Sequence, residues 1–147
     1  MDDESLVQFI RRHRWAVLAT ASDLGVPQAA IIGVAVTERM ELIFDTLLST
    51  RKAANLRSNA KVALVIGGWK DDEPKTLQYE GVADVPVGAE LERIKSVYFS
   101  AFPDGRDRLS WPGITHVRVR PVWLRYSDFS VEPANIEERS FSDGASD

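Results

Sequence analysis

Hydrophobic and polar positions follow two different rhythms along this chain. Leu6, Phe9 and Ile10 recur at helical spacing, behind Asp2, Asp3 and Glu4 and ahead of Arg11, Arg12, His13 and Arg14. Acid at the start and base at the end complement a helix dipole, which predicts a short amphipathic helix. The rhythm then changes. Trp15 to Ala21 and, beyond an Asp23-Leu24-Gly25 turn with Pro27, Gln28 to Thr37 are rich in β-branched residues and lack helical polar spacing, which predicts a strand hairpin. After a Glu38-Arg39 turn, Leu42, Phe44 and Thr46 alternate with Glu41, Ile43 and Asp45 as a third strand.

Lys61 to Gly67 is apolar at successive positions, so a central strand covered on both faces is expected there. Between the third and fourth strands, Ser49 to Ser58 offers a hydroxyl cap, good helix formers and Asn59 at its end, which predicts one short helix. Leu77, Tyr79, Ala83 and Val85 alternate with Thr76, Gln78 and Asp84 as a fifth strand, closed by Pro86. From Gly88 to Phe102, Leu91, Ile94, Tyr98 and Ala101 mark a further amphipathic helix. A last strand begins with Thr115, Val117 and Val119 and runs to Tyr126, with Pro121 marking a bulge or an edge. The expected architecture is mainly β: about six antiparallel strands in a small closed or nearly closed barrel, with helices at the connections.

The chain has 147 residues, the length of one domain, placed at 1–130. Residues 131–147 are short of apolar side chains, and a flexible tail is expected there. With 18 Lys and Arg against 22 Asp and Glu the net charge is −4, and the scattered basic residues argue against nucleic-acid binding. Zero cysteines remove disulfides, thiolate metal sites and a cysteine nucleophile. The acidic N-terminus and the lack of a long apolar run lead us to expect a cytoplasmic protein without a membrane partner.

No Gly-x-Gly-x-x-Gly, Walker-type loop or His-Glu-x-x-His is present, and two histidines cannot build a histidine-rich metal site. His116 is expected on the outward face of its strand. Trp15 and Phe44 are expected to fill the barrel, whereas Trp69 and Trp111 lie near strand ends or in loops, where they could cover a flat ligand or a neighbour.

Ser49-Thr50-Arg51-Lys52 breaks a local rule. The first turn of a helix favours Asp or Glu, and two cations there cost about 0.3 to 1 kcal/mol each unless an anion answers them. Free N–H groups, hydroxyls, a guanidinium and an ammonium together suit a phosphate monoester; the spacing alone favours the plainer alternative, that both side chains extend into solvent, where the penalty is screened.

The run from Leu42 through Thr46, Ser49-Thr50-Arg51-Lys52 and the following helix to Leu64 resembles the FMN-binding split barrels related to pyridoxamine 5'-phosphate oxidase. Ala19-Thr20-Ala21 through Gly25-Val26-Pro27-Gln28 is similar to their opening hairpin, and Leu77 to Ala83 to their strand with a Glu-Gly pair. The resemblance implies a six-stranded antiparallel split barrel that forms a homodimer, with FMN at the subunit interface and a small-molecule substrate. It places the phosphate on Arg51 and Lys52, with Thr50 at the hydroxyl position and Ser49 beside it. It puts Asp45 and Thr46 by the ribityl and phosphate groups, Ile31, Ile32 and Gly33 along the ring edge, and Thr76 at a glutamine position near the ring.

The oxidases' substrate-binding cations are replaced here by Ala29-Ala30-Ile31-Ile32-Gly33-Val34, so a divergent member is expected rather than a vitamin oxidase. The flavin would carry the redox chemistry with no protein residue as catalytic base. Related branches offer alternatives: flavin or haem binding without turnover, or reduction with a deazaflavin cosubstrate. The doubly apolar strands around Ile31 and Val65 are the expected dimer face.

Overall fold

The computed structural model describes residues 1–141. Its elements are α1 (Asp3–His13), β1 (Trp15–Ala21), β2 (Pro27–Gly33), β3 (Ala35–Val36), β4 (Leu42–Leu47), α2 (Arg51–Ser58), β5 (Lys61–Gly67), β6 (Lys75–Asp84), α3 (Gly88–Ala101), a 3-10 segment (Pro103–Ser110), β7 (Ile114–Asp128) and β8 (Asn135–Ser140). All strand pairs are antiparallel, in the order β2-β1-β5-β6-β7-β4-β3, with β8 added along β7.

The two ends of that order, β2 and β3, are separated in sequence by Val34 alone. A sheet whose edge strands follow one another in the chain has to curl until its edges approach. No ladder joins the two edges, so the barrel is split there, as expected.

The inward face forms one core that includes Leu18, Leu42, Phe44, Leu64, Ile66, Leu77 and Tyr79. Helix α1 plugs it with Leu6, Val7, Phe9 and Ile10, each contributing roughly 1.5–3 kcal/mol of burial. Asp2 caps this helix by accepting from the Ser5 N–H at 2.8 Å. A second cluster lies outside the barrel, where Ile94, Tyr98, Phe99 and Phe102 cover Ala35 and Ile43.

Several expectations change on folding. Eight strands replace six, because Gln28 to Thr37 is broken at Val34 into β2 and β3, and because β8 forms beyond residue 130. The low apolar content of 131–141 does not prevent pairing: β8 satisfies its backbone along β7 from Trp123 to Asp128. Residues 142–147, the rest of the expected tail, lie outside the described residues.

Strand β5 is internal between β1 and β6, yet only one of its faces is covered within the chain. His116 is 5% exposed rather than outward in solvent, because α3 covers that face of β7 with Tyr98 and Phe99. Trp15 is 50% exposed rather than in the barrel; its neighbour Ala16 takes the inward position. Phe44 is fully buried, as expected.

Pro121 does mark a bulge. Glu80 pairs with Trp123 and Gly81 with Pro121, leaving Val122 without a partner on β6. A Cβ on Gly81 would lie 2.5 Å from the Arg120 carbonyl oxygen, so the bulge requires glycine.

Candidate functional site

Strand β4 leads through a tight turn into α2, and the turn is built by two threonines. The Thr50 hydroxyl donates to the Leu47 carbonyl at 2.9 Å and accepts from the Ala53 N–H at 3.2 Å as the helix cap. Its one proton is thereby committed, so the Thr46 hydroxyl, 3.0 Å away, donates to it. Thr50 therefore shapes the turn and keeps no free proton for a ligand.

What remains free is cationic. The first turn of α2 contains no acid, and Arg51 and Lys52 form no ion pair with any described residue. Their backbone N–H groups occupy the first two helical positions, where no intrahelical acceptor exists. Arg51 and Ser49 are exposed and Lys52 is half-buried. Together they offer an anion two backbone donors, a hydroxyl, a guanidinium and an ammonium.

Asp45 lies just before this turn, on the opposite face of β4 from Thr46. Its carboxylate accepts from Nε of Arg108 at 2.8 Å. Arg108, carried by the 3-10 segment, also donates to Asp104 at 3.2 Å and to the Tyr98 hydroxyl at 3.2 Å. Burial and the Asp45 charge push the Tyr98 pKa up to about 12, so the phenol stays protonated. His116, paired across from Asp45, is kept below the ordinary histidine range chiefly by burial, and its Nε2 has no partner. Arg108 had no motif to announce it, since it sits in a loop of Pro, Asp, Gly and Arg.

Helix α2 is anchored to the β1–β2 hairpin by Asn55, whose side-chain amide donates to the Thr20 hydroxyl at 3.0 Å. Further along the hairpin, Ile31 points outward at 73% exposure, Ile32 points into the core and Gly33 ends the strand. Strand β2 is an edge, so alternate backbone groups there have no ladder partner. Thr76 sits elsewhere. It pairs with Gly67 and Ser127 at the start of β6, whereas the other end of that strand, Ala83 and Asp84, lies under α2. One chain does not bring Thr76 to the start of α2.

The cavity beneath α2, lined by Thr46, Ala53, Leu56, Ala83, Thr115 and Val117, measures about 160 Å³. That is below the ~300–1,000 Å³ of ordinary ligand pockets. Among the described residues no group of three or more metal-ligating side chains occurs, and no helix is long and apolar enough to cross a membrane.

Residues 2–126 match the sequence family described as pyridoxamine 5'-phosphate oxidase. The chain belongs to this family. The pyridoxamine 5'-phosphate oxidase fold is shared with solved structures of low identity. A haem-binding protein from Mycobacterium smegmatis superposes with a TM-score of 0.79 at 15% identity, covering 95% of this chain and 58% of that one. This chain thus spans little more than half of that protein's length. A pyridoxamine 5'-phosphate oxidase-related, FMN-binding protein from Nostoc punctiforme gives 0.72 at 13% identity, with 97% and 91% covered. The haem storage protein HutZ from Vibrio cholerae gives 0.67 at 18%, with 82% and 91% covered. No curated protein matches the chain significantly.

Proposed function

We propose that this chain is a cytoplasmic flavoprotein that holds FMN at a homodimer interface and acts as a flavin-dependent oxidoreductase on a small molecule. The observation that carries the reading is the start of α2, where two cations and two backbone N–H groups meet with no acid among the described residues to answer them. A phosphate dianion fits that donor set. The bound flavin would supply hydride or electron transfer at its ring. The chain's part is to fix the phosphate with Arg51 and Lys52, and to offer the ring the unpaired backbone of β2 at Ile31 to Gly33.

What the single chain leaves open supports the dimer. On the outer face of the sheet, Val17 stands between Ile31 and Val65, and Ala19 between Ala29 and Ala63. This apolar grid, with Gln78 and Glu80 at its rim, is the kind of surface a second copy covers. No single-chain cavity under α2 is large enough for a flavin ring, so a second wall is needed. On this reading Thr76 would have to reach the site from the second copy.

Haem is the alternative favoured by two structural relatives. Both histidines and all three tyrosines are buried, at 5% exposure or less, so none is presented as an axial ligand. This supports flavin over haem. A deazaflavin cosubstrate would diffuse away, so retention on purification separates it from FMN.

The test is the absorbance spectrum of protein purified without added cofactor, followed by FMN titration of wild type, Arg51→Glu and Lys52→Glu. Bound flavin in the wild type, lost in both variants at unchanged melting temperature, is expected. Unchanged FMN affinity in either variant removes this placement of the phosphate. Flavin that neither NADH, NADPH nor a reduced deazaflavin bleaches would leave a binding protein and remove the enzyme.

A further inference from the structure

Arg14, the residue that ends α1, has φ 65°. Bulky side chains avoid this region, and helices usually end there on glycine or asparagine. The need for positive charge at the end of α1 does not explain it, because Arg11, Arg12 and His13 already stand in the last turn. Nor is Arg14 held by a carboxylate of any described residue. Its guanidinium lies 4.5 Å over the Phe102 ring, and its remaining contact is with the Ala101 carbonyl at 3.4 Å. Phe102 is itself seated by Gly33, where a Cβ would come within 2.8 Å of the ring.

This arrangement borders a pocket of about 400 Å³. Its apolar wall is Val34, Ala35, Val36, Val97 and Ala101, and its charged residues are Arg11 and Arg14. Among the described residues no acidic side chain lines it. Arg11 is answered by Glu38 at 3.1 Å, which leaves one positive charge, that of Arg14, without a counterion among the described residues. The size falls within the range of small-molecule sites, and an apolar wall with one convergent charge is their usual chemistry.

We propose that this pocket binds a small amphipathic monoanion, a carboxylate on an apolar body, with Arg14 as the anchor of the carboxylate. One unanswered charge selects a monoanion over a phosphate dianion. The planar guanidinium, already oriented by the Phe102 ring, matches a carboxylate with two parallel hydrogen bonds. The pocket begins at Val34, next to the Ile31 to Gly33 stretch assigned to the flavin ring, which makes it the substrate pocket. That last step rests on the flavin reading; the binding itself does not.

The test is calorimetric titration of the full-length protein with octanoate, 1-octanol and octyl phosphate, with Arg14→Gln and Arg14→Gly as variants. Octanoate is expected to bind at least tenfold more tightly than the other two. Both variants should lose that advantage while keeping the weak affinity for octanol. Arg14→Gly relieves the φ and should melt no lower than wild type, so its loss of octanoate cannot be attributed to unfolding. Octanoate binding no tighter than octanol, octyl phosphate binding as tightly as octanoate, or variants that retain full octanoate affinity would each overturn the proposal. Protein that takes octanoate but not FMN keeps this pocket and removes the flavin reading; FMN without octanoate does the reverse.

Discussion

The Asp45 carboxylate accepts a 2.8 Å hydrogen bond from Arg108, so a negative charge just before the turn into α2 is answered by a residue 63 positions further along the chain. On the proposed placement of the flavin phosphate, an unpaired carboxylate at Asp45 would repel it. Arg108 removes that conflict. It also ties the 3-10 segment to β4 and, through Tyr98, to α3.

Arg108→Ala is expected to lower stability by about 1–2 kcal/mol, less than for a fully buried pair because both side chains keep some solvent contact. It should also weaken FMN binding by several-fold. Adding Asp45→Asn to Arg108→Ala should restore most of both losses. Urea melts and FMN titrations of the two single variants and the double variant check this, and a double variant no better than Arg108→Ala refutes the charge argument.

Gly81→Ala tests the bulge. The new methyl would lie 2.5 Å from the Arg120 carbonyl oxygen, 2.6 Å from Val119 Cγ1 and 3.0 Å from the Tyr79 ring. Backbone has to move, and Tyr79 cannot yield because its hydroxyl is fixed by the Met40 and Val119 carbonyls at 2.9 and 3.1 Å. A loss of about 2–3 kcal/mol in urea denaturation is expected.

Stability should fall as the solution is acidified, and two histidines set the window. Burial holds His13 and His116 below the ordinary value of 6.5. Above that value both states are neutral and stability is fully present. Below it the unfolded chain takes up protons that the folded chain refuses, so the folded state loses ground until its own lower pKa is reached. His116→Leu should flatten the decline between about pH 6.5 and 5 by at most ~1.4 kcal/mol per pH unit, one proton's worth. Denaturant midpoints across that range measure it, and an unchanged slope would show that His116 is not among the linked groups.

Ile31→Asp places a charge on the outer apolar face, beside Val17, without touching the core. The variant is expected to remain folded by circular dichroism, to run as a monomer in light scattering and to lose FMN at the same time. A monomeric variant that still holds FMN with wild-type affinity would separate the cofactor from the dimer.

Most of the secondary structure was legible because it is local. The alternation of Leu77, Tyr79 and Ala83, a hydroxyl cap before α2 and the acid-to-base order of α1 each report on neighbours within a turn or a strand, and β1, β5 and the three helices fall close to their expected bounds. The break at Val34 was not legible, since a strand interrupted by one residue keeps its composition. Strand β8 was missed for a related reason: Glu137, Glu138 and Arg139 have the composition of a loop, and only the exposed edge of β7 makes them a strand.

For the site, the sequence by itself determined that two cations, Arg51 and Lys52, stand at a helix start with no acid in the same turn, because a helix start and its charges lie within four residues. Which of its polar groups remain free was decided by the tertiary structure: the Thr50 proton is spent on Leu47, Asp45 is neutralised by Arg108, and Thr76 is carried to the far end of β6. His116 was placed on the right strand but in the wrong environment, since alternation fixes which face a side chain takes and not whether a helix such as α3 later covers it. Charge and spacing are properties of the chain, whereas the counterion and cover of each group depend on long-range packing that no local pattern encodes.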